Sequence, residues 1–106
     1  MKKRLKNQWI KALRSGEYKQ GRQRLRSSKE EFCCLGVLCD IGLDTDWVLD
    51  AARGDWGISR RETFGMPSDL DLQALGLPSL AAWDLARLND GGRPFSEIAD
   101  WIEENV

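Results

Sequence analysis

Phe32-Cys33-Cys34-Leu35-Gly36-Val37-Leu38-Cys39-Asp40-Ile41 is the longest nearly unbroken apolar run of the 106-residue chain, and it separates a basic segment from an acidic one. The run is long and rich in Leu, Val and Cys without alternation, which predicts a helix from Cys34 to about Gly42, with Gly36 as the one residue against it. A helix that is apolar on every side has to be packed on every side. This segment is therefore expected to be the central element of the fold.

Upstream, Leu5, Trp9, Ala12 and Leu13 recur at helical spacing, while Lys3, Asn7, Lys11 and Arg14 fall on the opposite side. That pattern is an amphipathic helix with a basic outer stripe, closed at Ser15-Gly16. Beyond the connector Glu17–Gly21, the stretch Arg22-Gln23-Arg24-Leu25-Arg26 alternates with period two. As a strand it would place its three arginines on one face. Ser27-Ser28-Lys29-Glu30 reads as a turn, so a small β-hairpin is expected near residues 22–33.

Downstream, residues 44–66 are the least regular region, with a short helical turn expected around Trp47-Val48-Leu49 and Ala51-Ala52. Trp47, Trp56 and Phe64 would either pin this loop to the core or stack on a ligand. Three helices follow. One starts at Pro67-Ser68 and closes at Gly76. A second, capped by Ser79, runs from Leu80 to Leu88 and is expected to be well buried, because only Asp84 and Arg87 are polar in it. A turn at Asn89-Asp90-Gly91-Gly92 leads to the last helix, from about Pro94 to Asn105. Its inner face is Phe95, Ile98, Ala99 and Ile102, and its outer face carries Glu97, Asp100, Glu103 and Glu104. The expected fold is mainly α: one domain over residues 1–106, a compact bundle of about five helices with the small hairpin.

The residues do not specify a reaction, and no enzyme is expected. The chain has no His, the usual general acid–base residue. Its three Cys are too few and too poorly spaced for a disulfide framework. A zinc site would need carboxylates or a second chain to complete it, and neither a metal nor another cofactor is expected. An activated Cys33 near the arginines is the one thiol chemistry to weigh, against an apolar setting that favours inert buried thiols. Asp40, Asp44, Asp46 and Asp50 lack the pattern of a calcium loop and read as solvated acids. No segment has the roughly 18 apolar residues that span a bilayer. Nor does an apolar stretch follow the basic start, as a signal peptide requires. A cytoplasmic protein, and a monomer, is expected.

Charge is the stronger signal. Residues 1–30 carry eleven basic residues against two acidic ones, a net +9, whereas residues 31–106 carry five against fifteen, a net −10. Such asymmetry points to a polyanion partner, or to two halves that neutralise each other within the fold. The candidate nucleic-acid surface is Lys3, Lys11, Arg14, Tyr18, Lys19, Arg22, Arg24 and Arg26. Tyr18, Trp47 or Trp56 would supply the stacking platforms that single-strand binding uses. The acidic remainder suggests the opposite partner, a basic groove on a nucleic-acid-binding protein.

Three stretches carry a family resemblance: Trp9-Ile10-Lys11-Ala12-Leu13-Arg14-Ser15-Gly16-Glu17-Tyr18-Lys19-Gln20-Gly21, Phe32–Asp40, and Leu88-Asn89-Asp90-Gly91 with Phe95–Glu103. Together they resemble a family of small phage and prophage proteins. The family commonly has Ser before the Phe of the last helix, making a capping box, where this chain has Pro94. A chain of this size and phage character also looks like an anti-CRISPR protein of the kind acting on type I systems. The resemblance implies an inhibitor of bacterial defence that works in the host bacterial cytoplasm. Its partner would be single-stranded DNA of an R-loop or a CRISPR-Cas effector complex. A sponge for an immune nucleotide signal is the third expectation.

Overall fold

The computed structural model describes residues 1–43, 46–52, 54–58 and 65–106, with residue 55 described by its backbone. Asp44, read above as a solvated acid, and Phe64, read as a loop anchor or a stacking ring, lie outside the described residues.

Among the described residues five helices carry the fold: α1 (Lys3–Ser15), α2 (Cys34–Gly42), α3 (Asp69–Leu75), α4 (Ser79–Asp90) and α5 (Phe95–Asn105). The mainly-α reading holds. α2 is the axis: Cys34 to Cys39 are all buried. α1 packs against it and against α5, and α4 closes the other side against α2 and α5. The apolar stripe of α1, with Trp9, Ile10 and Leu13 buried, is seated by a hydrogen bond from Trp9 Nε1 to the Cys34 carbonyl at 3.0 Å. Gly36 is explained by close approach. A Cβ there would lie 1.8 Å from the Leu25 carbonyl oxygen, so only glycine lets this loop pass over the helix.

Local signals set most of the helix ends. α1 stops at Gly16, which takes a left-handed conformation (φ 78°), and α3 stops likewise at Gly76 (φ 74°). α3 begins with a reciprocal capping box between Ser68 and Asp71. The start of α4 departs from the sequence reading: Ser79 is its first helical residue rather than its cap, and Pro78 precedes it without a side-chain cap. α5 starts just after Pro94, where it was expected, and also lacks a side-chain cap.

Among the described residues four short strands, β1 (Lys19–Gln20), β2 (Glu31–Phe32), β3 (Trp47–Asp50) and β4 (Asp55–Ile58), form two pairs. β1 runs parallel to β2, and β3 is antiparallel to β4. The regular hairpin is thus at 47–58, where a helical turn was expected. Exposed Val48 and Leu49, flanked by half-buried Trp47 and Asp50, suit a strand on the surface. The expected pairing within 22–33 survives in reduced form. Arg26 bridges Phe32, flanked by hydrogen bonds from Ser27 N to Glu31 O (2.9 Å) and Cys33 N to Leu25 O (3.2 Å). The Arg22–Leu25 stretch is a series of bends rather than an extended strand, with Gln23 at φ 64°. The backbone of Arg26 also pairs with Trp56, so this one residue joins the two strand pairs.

α4 corrects a second expectation. Leu80 and Trp83, one turn apart, are 81% and 57% exposed, and only Ala82, Leu85 and Asn89 of this helix are buried. The helix is amphipathic with an apolar outer ridge, and residue type alone did not separate its two faces. α5 buries Phe95, Ile98, Ala99 and Ile102 and exposes its acids, as expected.

Candidate nucleic-acid interface

α1 contains no acidic residue, and its buried stripe fixes which side chains face out. On a 100° wheel Arg4, Asn7 and Lys11 form the ridge opposite Trp9 and Leu13, with Lys3 on one side and Gln8 on the other. All five are exposed, and they line one shallow surface groove of about 480 Å³. Of the expected site residues, Lys3 and Lys11 line this groove; Arg4 and Gln8, which line it too, were not among them, although the same wheel places them beside Asn7.

The other six expected residues do not join this groove. Arg14 lies on the same helix but reaches α5, pairing with Asp100 at 2.6 Å and Glu103 at 2.9 Å. Hydrogen bonds to Glu103 and Asp100 raise its pKa further, so it stays charged. Lys6 extends the same seam by donating to the Glu103 carbonyl at 3.2 Å. Part of the basic–acidic asymmetry is therefore settled inside the fold.

Tyr18, Lys19 and Arg26 gather instead around a cleft of about 510 Å³ together with Lys29, Glu17, Glu30, Phe32 and Asp40. The cleft is mixed in charge. Tyr18 donates to Asp40 Oδ2 at 2.6 Å, and Trp47 Nε1 donates to Oδ1 at 3.0 Å, so Asp40 is a hydrogen-bonded bracket as well as an exposed acid. Burial, then the bond to Asp40, pushes the Tyr18 hydroxyl well above its usual pKa.

Arg26 is the centre of an aromatic cluster. Its guanidinium carbon lies 4.8 Å from the Phe32 ring centroid, 5.5 Å from Trp47 and 4.6 Å from Trp56. Its Nη2 donates to the Lys29 carbonyl at 2.7 Å. Tyr18 and Trp47 each pack edge-on against Phe32. The rings expected as stacking platforms are thus engaged with one another and with Arg26. Arg22 is exposed near Gly92, while Arg24 is half-buried and donates to the Gln23 carbonyl at 3.1 Å. The three arginines do not share one face.

A polar hub that sequence reasoning missed holds the connector in place. Asn89 is fully buried. Its Oδ1 accepts from Cys34 N (3.2 Å) and Gln20 Nε2 (3.0 Å), and its Nδ2 donates to the Gly21 carbonyl (2.8 Å). Gln20 goes on to donate to the Arg93 carbonyl and to accept from Phe95 N. Asp90 accepts from Gln23 N at 2.8 Å. The Asn89-Asp90 pair, read as a turn signal, instead ends α4 and locks residues 20–23.

Cys33, Cys34 and Cys39 are free and buried. Burial pushes Cys33 up to about 11 and raises Cys34 and Cys39 as well, so near neutral pH these thiols are protonated and poor nucleophiles. Among the described residues no three metal-ligating side chains gather at one point. None of the helices there is long and apolar enough to cross a membrane.

The chain matches the family model described as Domain of unknown function (DUF8296) over residues 1–63. It belongs to that family. No curated protein and no solved structure matches it. The DUF8296 segment contains α1, α2, the four strands and all eight of the expected site residues. The groove on α1, the Arg26 cluster and the Asp40 bracket are therefore features of the family segment, whereas Asn89 lies outside it.

Proposed function

We propose that this chain is a phage-encoded inhibitor of bacterial defence, of the anti-CRISPR kind, acting without catalysis by binding the DNA of an R-loop through the outer face of α1. The observation that carries the reading is the groove lined by Lys3, Arg4, Asn7, Gln8 and Lys11, which contains three cations and no acid. Such a surface follows a phosphate backbone, and its affinity falls steeply with salt. The phage assignment is supported by the motif resemblance, above all Trp9–Gly21 and Phe32–Asp40. The R-loop's displaced single strand, with the duplex that flanks it, is the ligand of choice.

Mobility-shift titration with single-stranded and duplex DNA at 50 and 200 mM salt tests this. Three phosphate contacts give a log–log salt slope of about −2 to −3. Lys3→Glu with Lys11→Glu should abolish the shift, whereas Lys29→Glu, in the mixed cleft, should leave it largely intact. Absence of a shift at low salt would remove the reading.

A second reading has its own observation. The exposed Leu80 and Trp83 of α4, together with the outer acids of α5, suit contact with the basic groove of a CRISPR-Cas effector protein. Leu80→Ser with Trp83→Ser would then abolish co-elution with the effector while leaving any DNA shift unchanged.

A further inference from the structure

We infer that the exposed ridge of α4 pairs with the same ridge of a second copy of this chain, the two helices crossing antiparallel about a two-fold axis beside Trp83. The inference goes beyond the DNA-binding role and stands independently of it.

Leu80 is 81% exposed and Trp83 57%, whereas Ala82, Leu85 and Asn89 hold the opposite face of α4 in the core. On a 100° wheel Leu80 and Arg87 lie along the crest, with Trp83 on one side and Asp84 on the other. A leucine and a tryptophan one turn apart on the surface are the kind of anchor around which interfaces form. Charge decides the occupant. Arg87 and Asp84 are bound to each other at 2.8 Å, so the crest is electrically neutral. Neither a phosphate backbone nor a strongly basic groove meets an opposite charge there. A second copy of the ridge is its own complement.

α4 has 12 residues, about 18 Å of helix, and Trp83 lies close to its midpoint. An antiparallel crossing about a two-fold axis there sets Trp83 against its counterpart and lays the stem of each Arg87 over Leu80 of the other copy. The two Asp84 side chains face each other across the axis, each neutralised by its own Arg87. At the ends of the helix the match is one of opposite charge. α4 begins after Pro78 with no side-chain cap on the positive end of its dipole. The crossing brings Asp90, exposed at the other end of α4 and on the Trp83 side of the wheel, beside that terminus in the second copy. The α1 groove, on the other side of α2, stays free, so a dimer presents two DNA faces and gains avidity on one nucleic acid. Two anchors per copy make a small interface. The expected dimer is therefore weak, with a Kd on the order of 10–100 µM, and the single chain prevails below that concentration.

The test is sedimentation equilibrium of the full chain from about 5 to about 500 µM, beside a Leu80→Ser, Trp83→Ser variant. Both substituted residues are exposed, so circular dichroism of the variant should match the parent. The expected result is a mass that rises from one chain towards two with concentration. Its Kd should change by less than about twofold between about 50 and about 500 mM salt, because the contact is mainly apolar. The variant should lose about tenfold or more in dimer affinity, while its DNA shift, read below that Kd, is unchanged. Asp84→Cys, beside the axis, should form an intermolecular disulfide under oxidised glutathione above the Kd, whereas Lys11→Cys, on α1, should not. The inference is overturned if the parent stays a single chain throughout, if the variant dimerises as well as the parent, or if Asp84→Cys crosslinks no better than Lys11→Cys. A single chain whose co-elution with an effector protein is lost in the variant gives the ridge to the effector instead. The DNA-binding role is read separately, in the mobility shift, and survives each of these results.

Discussion

Arg26 and Trp56 are joined twice: the Arg26 carbonyl accepts the Trp56 backbone N–H at 2.9 Å, and the Arg26 guanidinium lies 4.6 Å from the centroid of the Trp56 ring. Backbone and side chain of one residue thus tie the 25–33 turn to β4, with Phe32 and Trp47 completing the aromatic surround. An arginine that sequence alone assigned to phosphate binding is a structural brace. Cation–π contacts are worth roughly 0.5–2 kcal/mol each. Arg26→Ala should therefore lower stability by about 2 kcal/mol in urea titration. Lys11→Ala, on the exposed face of α1, should change it by less than about 0.5 kcal/mol. DNA affinity should follow the opposite order, with Lys11→Ala weakening it and Arg26→Ala sparing it as long as the protein is folded.

Gly36 has no room for a methyl group against the Leu25 backbone. Gly36→Ala raises intrinsic helix propensity by about 1 kcal/mol, yet it should destabilise the protein by about 3 kcal/mol or more, because fixed backbone rather than a flexible side chain must yield. Thermal unfolding followed by circular dichroism at 222 nm measures this. A stabilised variant would mean the loop does not sit on α2.

Asn89 satisfies three buried or half-buried partners, and no apolar residue of its size can do so. Asn89→Leu leaves the Cys34 N–H, the Gly21 carbonyl and the Gln20 amide without it, at about 1–3 kcal/mol for each group left buried and unpaired. We expect a loss of at least about 3 kcal/mol in urea denaturation. Hydrogen exchange should also become faster across residues 19–23, which Asn89 and Asp90 hold.

The buried thiols make stability fall in alkali. In the unfolded chain they ionise near pH 9, whereas in the folded chain Cys33 holds its proton to about pH 11 and Cys34 and Cys39 are raised in the same direction. Between those values the unfolded state binds fewer protons, so stability drops by about 1.4 kcal/mol per pH unit for each thiol. Below pH 8 the term is fully present and flat. Urea titrations under reducing conditions from pH 7 to 10.5 should show this decline, and Cys33→Ser should make it shallower by one thiol's share, leaving that of Cys34 and Cys39. Serine does not ionise there, and as a helix N-cap it can take over the acceptor role that Cys33 Sγ plays toward Gly36 N.

What could be read from the sequence was local. The stripe of α1, the apolar run of α2, the Ser68 cap, the Gly16 and Gly76 stops and the two faces of α5 all rest on contacts within a few residues. The β3–β4 hairpin was missed because its turn, closed by Gly54 N on the Asp50 carbonyl at 2.7 Å, lacks the two-residue signature, and because Val48 and Leu49 resemble a core segment while being exposed. The roles of Arg14 and Arg26 depend on partners 86 residues and 30 residues away, Asp100 and Trp56, which no spacing rule reveals. Charge counting brought both into the candidate surface, and the fold gives both partners within the chain. Lys3 and Lys11 face solvent because the wheel that buries Trp9 also turns them outward.

The hub at Asn89 lies beyond the matched segment. The DUF8296 segment ends at residue 63, yet the first turn of its central helix and its Gln20-Gly21 connector are completed by a side chain 26 residues further on. Residues 1–63 expressed alone would present an open seam where α4 and α5 should lie, and should not fold. In this chain the matched segment thus borrows a buried carboxamide from a helix that follows it.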